Sequence, residues 1–155
     1  MRPCSSRPAP RAARRGRRGF TLIELLVATT VVAILAAIAL PGFFEQLART
    51  HRTDAQAALL EDAAYLQHYF ASHDAFSGTP APRLPFDRTP REGAARYAIT
   101  VNVPADDPTS FVLVATRAGA MASDACGDLR YDNLGRRELV AGTFAPGRDA
   151  LACWR

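Results

Sequence analysis

The chain has 155 residues, and all 19 of its basic residues are arginines, set against 15 acids. Seven of these arginines lie among the first 19 residues, which hold no acid, so the remainder carries 12 arginines and 15 acids, a net charge of −3. The sequence pI of about 9.4 therefore belongs to the N-terminal tail, which argues against a basic, nucleic-acid-binding body. The length suits one domain with an accessory element.

The N-terminal tail is followed by an uncharged run that is long enough to cross a membrane. Residues 1–19 are rich in Arg, Pro and Ala and cannot bury enough apolar surface to offset the entropy of ordering. Residues 25–44 lie between Glu24 and Glu45 and contain no charge. As a helix they span about 30 Å, the thickness of a bilayer core. The arginines precede this run, so we expect them to stay cytoplasmic and the C-terminal body to cross.

Glu24 is the unusual feature of this N-terminal region. A cleaved secretory signal, with the small-residue site Ala37-Ile38-Ala39, and a plain signal anchor both explain an apolar run. Neither explains a carboxylate at the start of an apolar helix, where an ionisable group is costly and is usually functional. The sequence therefore predicts a partner for Glu24 outside its own helix.

The residues around Glu24 resemble the leader junction of type IV prepilins. The resemblance is carried by basic residues, a glycine, an aromatic, a threonine, two apolar residues and a glutamate, in the order Arg17-Arg18-Gly19-Phe20-Thr21-Leu22-Ile23-Glu24-Leu25. It implies that a prepilin peptidase cuts between Gly19 and Phe20 and methylates the new amino terminus. Residues 1–19 would then be a removed leader, and Glu24 would be the fifth residue of the mature chain.

This processing gives Glu24 a physical role. The new amine on Phe20 has an ordinary pKa of about 7.7–8.0 and is positively charged. When helices pack into a fibre, the amine and the Glu24 of a neighbouring subunit can pair in an apolar setting, where a charge pair fixes register rather than adding net stability. The alternative is a carboxylate that reaches back to the membrane interface.

Pro41 and Gly42 follow the apolar run and predict a helix break. Proline removes one helical hydrogen bond, and glycine adds backbone freedom. The expected result is a kink or a locally unwound turn. The resemblance to pilins implies that this segment can melt in the assembled fibre. Residues 20–45 are thus the predicted transmembrane and assembly helix.

Residues 72–96 are predicted to form a loop because they contain four prolines and two glycines. Before this loop, residues 46–71 are predicted to continue the helix in amphipathic form. The helix has an apolar stripe at spacings of three and four residues, and a polar face is expected opposite it. The stripe is Ala55, Leu59, Ala63, Leu66 and Phe70, and the polar face is Arg52, Gln56, Glu61 and Gln67.

The C-terminal part alternates apolar and polar residues in short runs that are typical of strands. Four strands are expected, and they are residues 97–103, residues 111–116, a third around Leu129 and Tyr131, and a weak fourth at residues 138–140. The turn before the fourth strand is Asn133-Leu134-Gly135. A small sheet of this kind needs a helix against one face to be stable in water. The fold class is therefore α+β, with the long helix packed on an antiparallel sheet of about four strands.

The three cysteines point to one disulfide. Cys4 lies in the predicted leader, which leaves Cys126 and Cys153 in the exported part. Such a pair is expected to be oxidised in a periplasm, closing a loop of about 28 residues that contributes about 3–4 kcal/mol in the chain-entropy model. Two unpaired buried thiols are the alternative.

The cysteine pair extends the resemblance, because two cysteines around the last segment define the D-region of type IV pilins. Together with residues 52–60 and the end of the chain, this region resembles minor pilins of the PilE type. The resemblance implies a globular head at residues 46–155 with a D-region at residues 126–153. It also implies a single-pass protein of the bacterial inner membrane, with its head in the periplasm and later in a surface fibre. Its partners would be other pilins, the prepilin peptidase, the inner-membrane assembly machinery and the membrane itself.

No catalytic constellation stands out, and no cofactor or metal site is expected in this chain. Three functions remain open, and none of them is enzymatic. The first is a structural minor pilin of a type IV pilus. The second is a DNA-receptor pilin resembling the ComP type, in which Arg130, Arg136 and Arg137 could form a basic edge for phosphates, although acids are interleaved with them. The third is a pseudopilin of type II secretion, which typically has a calcium loop instead of this disulfide.

Overall fold

The computed structural model describes residues 20–78 and 81–154. The chain forms two compact units, one ending at Leu40 and the other comprising Pro41–Arg155. Gly19 and the rest of the predicted leader lie outside the described residues, as does Arg155. The cleavage site at Gly19 therefore remains a prediction from the sequence.

Helix α1, Leu22–His73, contains 52 residues and is continuous. Thr21 begins it as a cap, since its Oγ1 accepts a hydrogen bond from the backbone N–H of Glu24 at 3.3 Å. Pro41 and Gly42 both lie within α1, so the described residues contain no unwound turn there. A proline removes one helical hydrogen bond without ending the helix, and the predicted kink at this point stays a prediction.

The second half of α1 buries the predicted apolar stripe. Ala55, Leu59 and Leu66 are fully buried, and Phe70 is partly buried against the core. The predicted polar face is only partly correct: Glu61 and Gln67 are exposed, but Arg52 and Gln56 are buried. Both buried groups have polar partners, and the Gln56 Nε2 donates to the Cys153 carbonyl at 2.9 Å.

The sheet has five antiparallel strands in sequential order, one more than predicted. The strands are β1 Arg88–Thr89, β2 Tyr97–Asn102, β3 Val112–Arg117, β4 Leu129–Asp132 and β5 Arg137–Leu139. Strand β1 lies within the region predicted to be a loop, and it has only two residues that pair with β2. A strand of two residues is too short to show an alternation of apolar and polar residues. The prolines and glycines around it also favoured a loop, so the sequence pattern did not predict the strand.

Alternating residues of the central strands face α1 and form the core. Tyr97, Leu113 and Leu129, one from each of β2, β3 and β4, are fully buried. Phe76, just after α1, packs between Phe70 and Phe111, with 4.7 Å between ring centroids in each pair. Removing this apolar area from water is the main favourable term in folding the head.

The C-terminal segment is attached to the head by the predicted disulfide, which the structure confirms. Cys126 and Cys153 are bonded, with their Cα atoms 5.7 Å apart. Cys153 ends a short helix that the sequence pattern did not predict, α2 Ala150–Cys153, which is capped by the Asp149 side chain. Beyond it the Trp154 Nε1 donates to the Glu138 carbonyl at 3.0 Å, so the end of the chain is held against β5.

Asp62 is a buried carboxylate that fastens the segment before β1 to α1. Its Oδ1 accepts a hydrogen bond from the backbone N–H of Phe86 at 2.9 Å. Its Oδ2 is buried and has no hydrogen-bond partner among the described residues. Burial raises the pKa of Asp62 to about 6, and the bond from Phe86 offsets part of this effect. The charged form of Asp62 is therefore unfavourable in the folded head.

Asp62 predicts a pH-dependent stability. An unfolded aspartate has a pKa of about 3.9, so the folded state binds the proton more tightly and loses stability as pH rises from about 4 to about 6. In Asp62→Asn this loss, about 2–3 kcal/mol in the free energy of unfolding, should disappear. Denaturant titrations of the detergent-solubilised chain at several pH values measure it. Asp54→Asn, an exposed change on the same helix, should keep the wild-type pH dependence, and an unchanged pH dependence in Asp62→Asn would contradict the assignment.

Candidate functional site

The first unit presents an apolar helix surface that is not covered by any other described residues. Every large apolar side chain described there is exposed, from Phe20, 83% exposed, to Leu40, 49% exposed. By length and composition, α1 is the one helix among the described residues that could cross a membrane. An apolar surface of this extent is rarely left in water. It therefore requires lipid or other protein chains around it.

Glu24 and Phe20 lie at one end of this surface and line the same shallow groove. The groove has a volume of about 540 Å³, and it is otherwise lined by apolar and small residues, namely Leu25, Ala28, Thr29, Val32 and Ala33. Glu24 is in the first turn of α1, where the helix dipole favours a negative charge. Within the described part of the chain Glu24 has no ion-pair partner.

The three arginines predicted as a basic edge do lie together, on the β4–β5 hairpin, but each has a local partner. Arg130 pairs with Glu138 at 3.2 Å, directly across the two strands. Arg136 pairs with Asp132 at 2.6 Å, and Arg137 lies over the ring of Trp154, 5.9 Å from its centroid. The edge is therefore less positive than its arginine count suggests, as the interleaved acids predicted.

Asp132 organises the turn of this hairpin. Its Oδ1 accepts hydrogen bonds from the backbone N–H groups of Leu134 and Arg136, each at 3.0 Å. Burial alone would raise the pKa of Asp132, but the bonds from Arg136 and Leu134 outweigh it and hold that pKa below its usual value. Gly135 completes the turn at φ of 77°, a conformation that favours glycine. The predicted Asn133-Leu134-Gly135 turn is thus confirmed.

Three aspartates, Asp124, Asp128 and Asp132, are spaced four residues apart, which is unlike the closely spaced oxygen ligands of a compact calcium loop. Each of them instead pairs with a different arginine: Arg52, Arg117 and Arg136, respectively. Their carboxylates are therefore used in separate ion pairs. The described residues therefore offer no calcium loop of the kind that would indicate a secretion pseudopilin.

A buried charge cluster joins α1 to the segment just before Cys126, and the sequence pattern did not predict it. The Arg52 guanidinium donates from two nitrogens to Asp124, one of the bonds being 2.9 Å long. Side-chain hydrogen bonding to Asp124 holds the pKa of Arg52 above its usual value despite burial. Burial, reinforced by Asp124, raises the pKa of Tyr97, whose hydroxyl donates to the same carboxylate at 3.4 Å. One signal in the sequence could have indicated its burial. Arg52 lies three residues before Ala55, and residues three apart on a helix share a face, which here is the buried stripe.

A second group of arginines, also missed, lies on the segment between α1 and β2. Arg83, Arg88 and Arg91 are all exposed. Arg91 stacks over Phe86 with its guanidinium carbon 3.9 Å from the ring centroid, and Arg88 is 3.7 Å from Asp87 in a solvent-exposed ion pair. An exposed pair of this kind contributes little to stability, so these charges are free to meet an external anion.

Comparison with known families agrees with these features. Residues 14–40 match the family model of the prokaryotic N-terminal methylation motif. Residues 41–130, more than half of the chain, match the family model described as "Type IV minor pilin ComP, DNA uptake sequence receptor". The fold, the leader-junction motif and these two matches identify the chain as a type IV pilin. Within that class, the chain belongs to the ComP family.

Individual relatives are also pilins. The chain is 38% identical over 60 residues to the type IV major pilin protein PilA of Myxococcus xanthus, covering 39% of this chain and 27% of the relative. It is 34% identical over 62 residues to a fimbrial protein of Neisseria meningitidis, covering 40% and 36%. It is 26% identical over 107 residues to the wide pilus component PilA4 of Thermus thermophilus, covering 68% and 77%. The chain thus spans little more than a third, or less, of the first two relatives. Pilins are structural subunits and not enzymes.

A solved structure, that of a type IV pilin from Shewanella oneidensis, matches 63% of this chain and 98% of its own length, with 22% identity and a TM-score of 0.46.

Proposed function

We propose that this protein is a minor subunit of a type IV pilus. The observation behind this proposal is the first unit, an apolar helix whose large side chains are exposed and whose single carboxylate, Glu24, has no ion-pair partner among the described residues. The methylation-motif match at residues 14–40 supports cleavage between Gly19 and Phe20. The apolar segment anchors the newly made chain in the inner membrane, with the head in the periplasm, until the assembly machinery transfers it to the fibre.

The charge on Glu24 is neutralised by another subunit. Cleavage before Phe20 leaves a positive amine four positions from a carboxylate, Glu24, that has no ion-pair partner among the described residues. In an apolar surrounding, an unpaired charge is strongly unfavourable, whereas a pair with correct geometry is tolerated and selects one register. The amine of one subunit and the Glu24 of another therefore align the helices as the fibre grows.

Glu24→Gln tests this pairing, because it keeps the size of the side chain and removes only its charge. The variant should still be cut and retained in the membrane, but its content in sheared pili should fall at least about tenfold, since an unmatched amine then has to be buried. Immunoblotting of sheared and membrane fractions measures this. Glu61→Gln, an exposed change on the same helix, should leave incorporation normal. Wild-type incorporation of the Glu24 variant would refute the pairing.

DNA binding is a second candidate function, and the family description as a DNA uptake sequence receptor favours it. Of the three hairpin arginines, only Arg130 lies within the matched residues 41–130. The exposed arginines Arg83, Arg88 and Arg91 lie wholly within them. Either group can offer guanidinium donors to phosphates, and phosphate contacts dominate the affinity of most DNA-binding proteins.

Two triple variants compare these surfaces while removing the same charge. One replaces Arg130, Arg136 and Arg137 with glutamine, and the other replaces Arg83, Arg88 and Arg91. If the hairpin binds DNA, the first variant should weaken binding by at least about tenfold at low salt, and the second should not. Gel shifts with duplex DNA across a salt series measure this. Loss of DNA binding in the second variant alone would assign the site to the segment that carries Arg83, Arg88 and Arg91. Absence of DNA binding by the wild-type chain at low salt would refute the DNA hypothesis.

A further inference from the structure

A polar cavity lies where α1 meets the segment that leads into α2. It has a volume of about 180 Å³, and it is lined by the side chains of four charged residues together with Ala152 and Cys153. The charged residues are Glu45, Arg49, Arg52 and Arg148. The space exceeds the roughly 30 Å³ that one water molecule occupies in the liquid, so a small polar group fits inside it.

Most of the charges around the cavity are already matched. Arg52, which is 4% exposed, is held by Asp124 and donates a further bond to the Glu45 Oε1 at 3.3 Å. Arg49 is 3.5 Å from the same oxygen. Glu45 is thus shared between two guanidinium groups, and both are fixed in place by it.

Arg148 is the unmatched charge. It is half-buried, and among the described residues it makes no ion pair or side-chain hydrogen bond. Its neighbour Asp149 forms no ion pair with it among the described residues and does not line the cavity; the Asp149 Oδ1 instead accepts from the Ala152 N–H at 2.7 Å as the cap of α2. Counting Asp124 behind Arg52, three arginines face two carboxylates. The cavity therefore keeps one positive charge, and guanidinium N–H groups on Arg148 and Arg49 are left to donate.

We propose that this cavity binds a phosphate group, held by Arg148 and Arg49 and backed by the buried Arg52. Guanidinium forks match phosphate oxygens in bidentate geometry, and charge-assisted bonds of this kind are stronger in a partly desolvated site. Neither the family description nor the predicted DNA-binding residues assign a role to this cavity.

Two sources can supply the phosphate, and the position of Arg49 favours a phospholipid headgroup. Arg49 follows Phe44, the last residue of the uncharged run, by five positions, which is about 7.5 Å along a helix. The headgroup layer on each side of a bilayer is about 5–8 Å thick. While the chain is anchored as proposed above, the cavity therefore lies at headgroup depth. This choice of source rests on the proposed function; the cavity itself does not.

The test uses the full mature chain in a maltoside detergent, which contains no phosphate. Thermal unfolding is followed while sodium phosphate, short-chain phosphatidylglycerol, or sodium chloride at matched ionic strength is added. Phosphate and phosphatidylglycerol should each raise the unfolding midpoint, as any ligand of the folded state does, and chloride should not. A response to the lipid at a lower concentration than to inorganic phosphate would assign the headgroup, and the reverse order would assign free phosphate.

Arg148→Gln should raise the half-saturating concentration at least tenfold, while Arg148→Lys should retain part of the response and show that the head still folds. Arg96→Gln removes the same charge at the residue before β2, outside the cavity lining, and should respond as the wild type does. No response to either phosphate compound, or an unchanged response in Arg148→Gln, would overturn the proposal. Because no fibre forms in detergent, this outcome is independent of the result with Glu24→Gln.

Discussion

An unpaired carboxylate on an otherwise apolar helix is the constraint on which the rest of this structure depends. Residues 25–44 carry no charge, and the apolar side chains of the first unit are exposed. Water is a poor solvent for that surface, and lipid is a poor solvent for Glu24. We propose that both groups are accommodated when other helices surround the segment and one of them supplies a cation. The need for other subunits therefore arises from the first unit rather than from the head.

The head is held together by contacts within itself. The apolar stripe of α1 covers the sheet, the Cys126–Cys153 bond attaches the last segment, and the Arg52–Asp124 pair joins the helix to the segment just before Cys126. A buried pair of this kind is costly to break from one side, because the remaining charge is left without a partner. The head thus folds through its own contacts, whereas the apolar helix needs neighbours. Arg83, Arg88 and Arg91 are exposed on the surface of the head.

The sequence predicted most of the features that depend on periodicity or on a local motif. The apolar stripe around Leu59, the central strands, the Asn133-Leu134-Gly135 turn and the disulfide all carry such signals. Strand β1 and helix α2 were missed because two and four residues are too short for a period to be recognised. The buried partners of Arg52 and Asp62 could not be predicted, since Asp124 and Phe86 are distant in sequence and meet them only through the fold.

The central claim is that the Glu24 carboxylate meets an amine made by cleavage before Phe20. Intact mass analysis of the protein taken from sheared pili tests this most directly. The account predicts a chain that begins at Phe20, carries one added methyl group, and has two hydrogens fewer than the reduced form because Cys126 and Cys153 are joined. A chain from pili that still carries the arginine-rich segment ahead of Phe20 would contradict it, because no amine would then exist at the position that Glu24 requires.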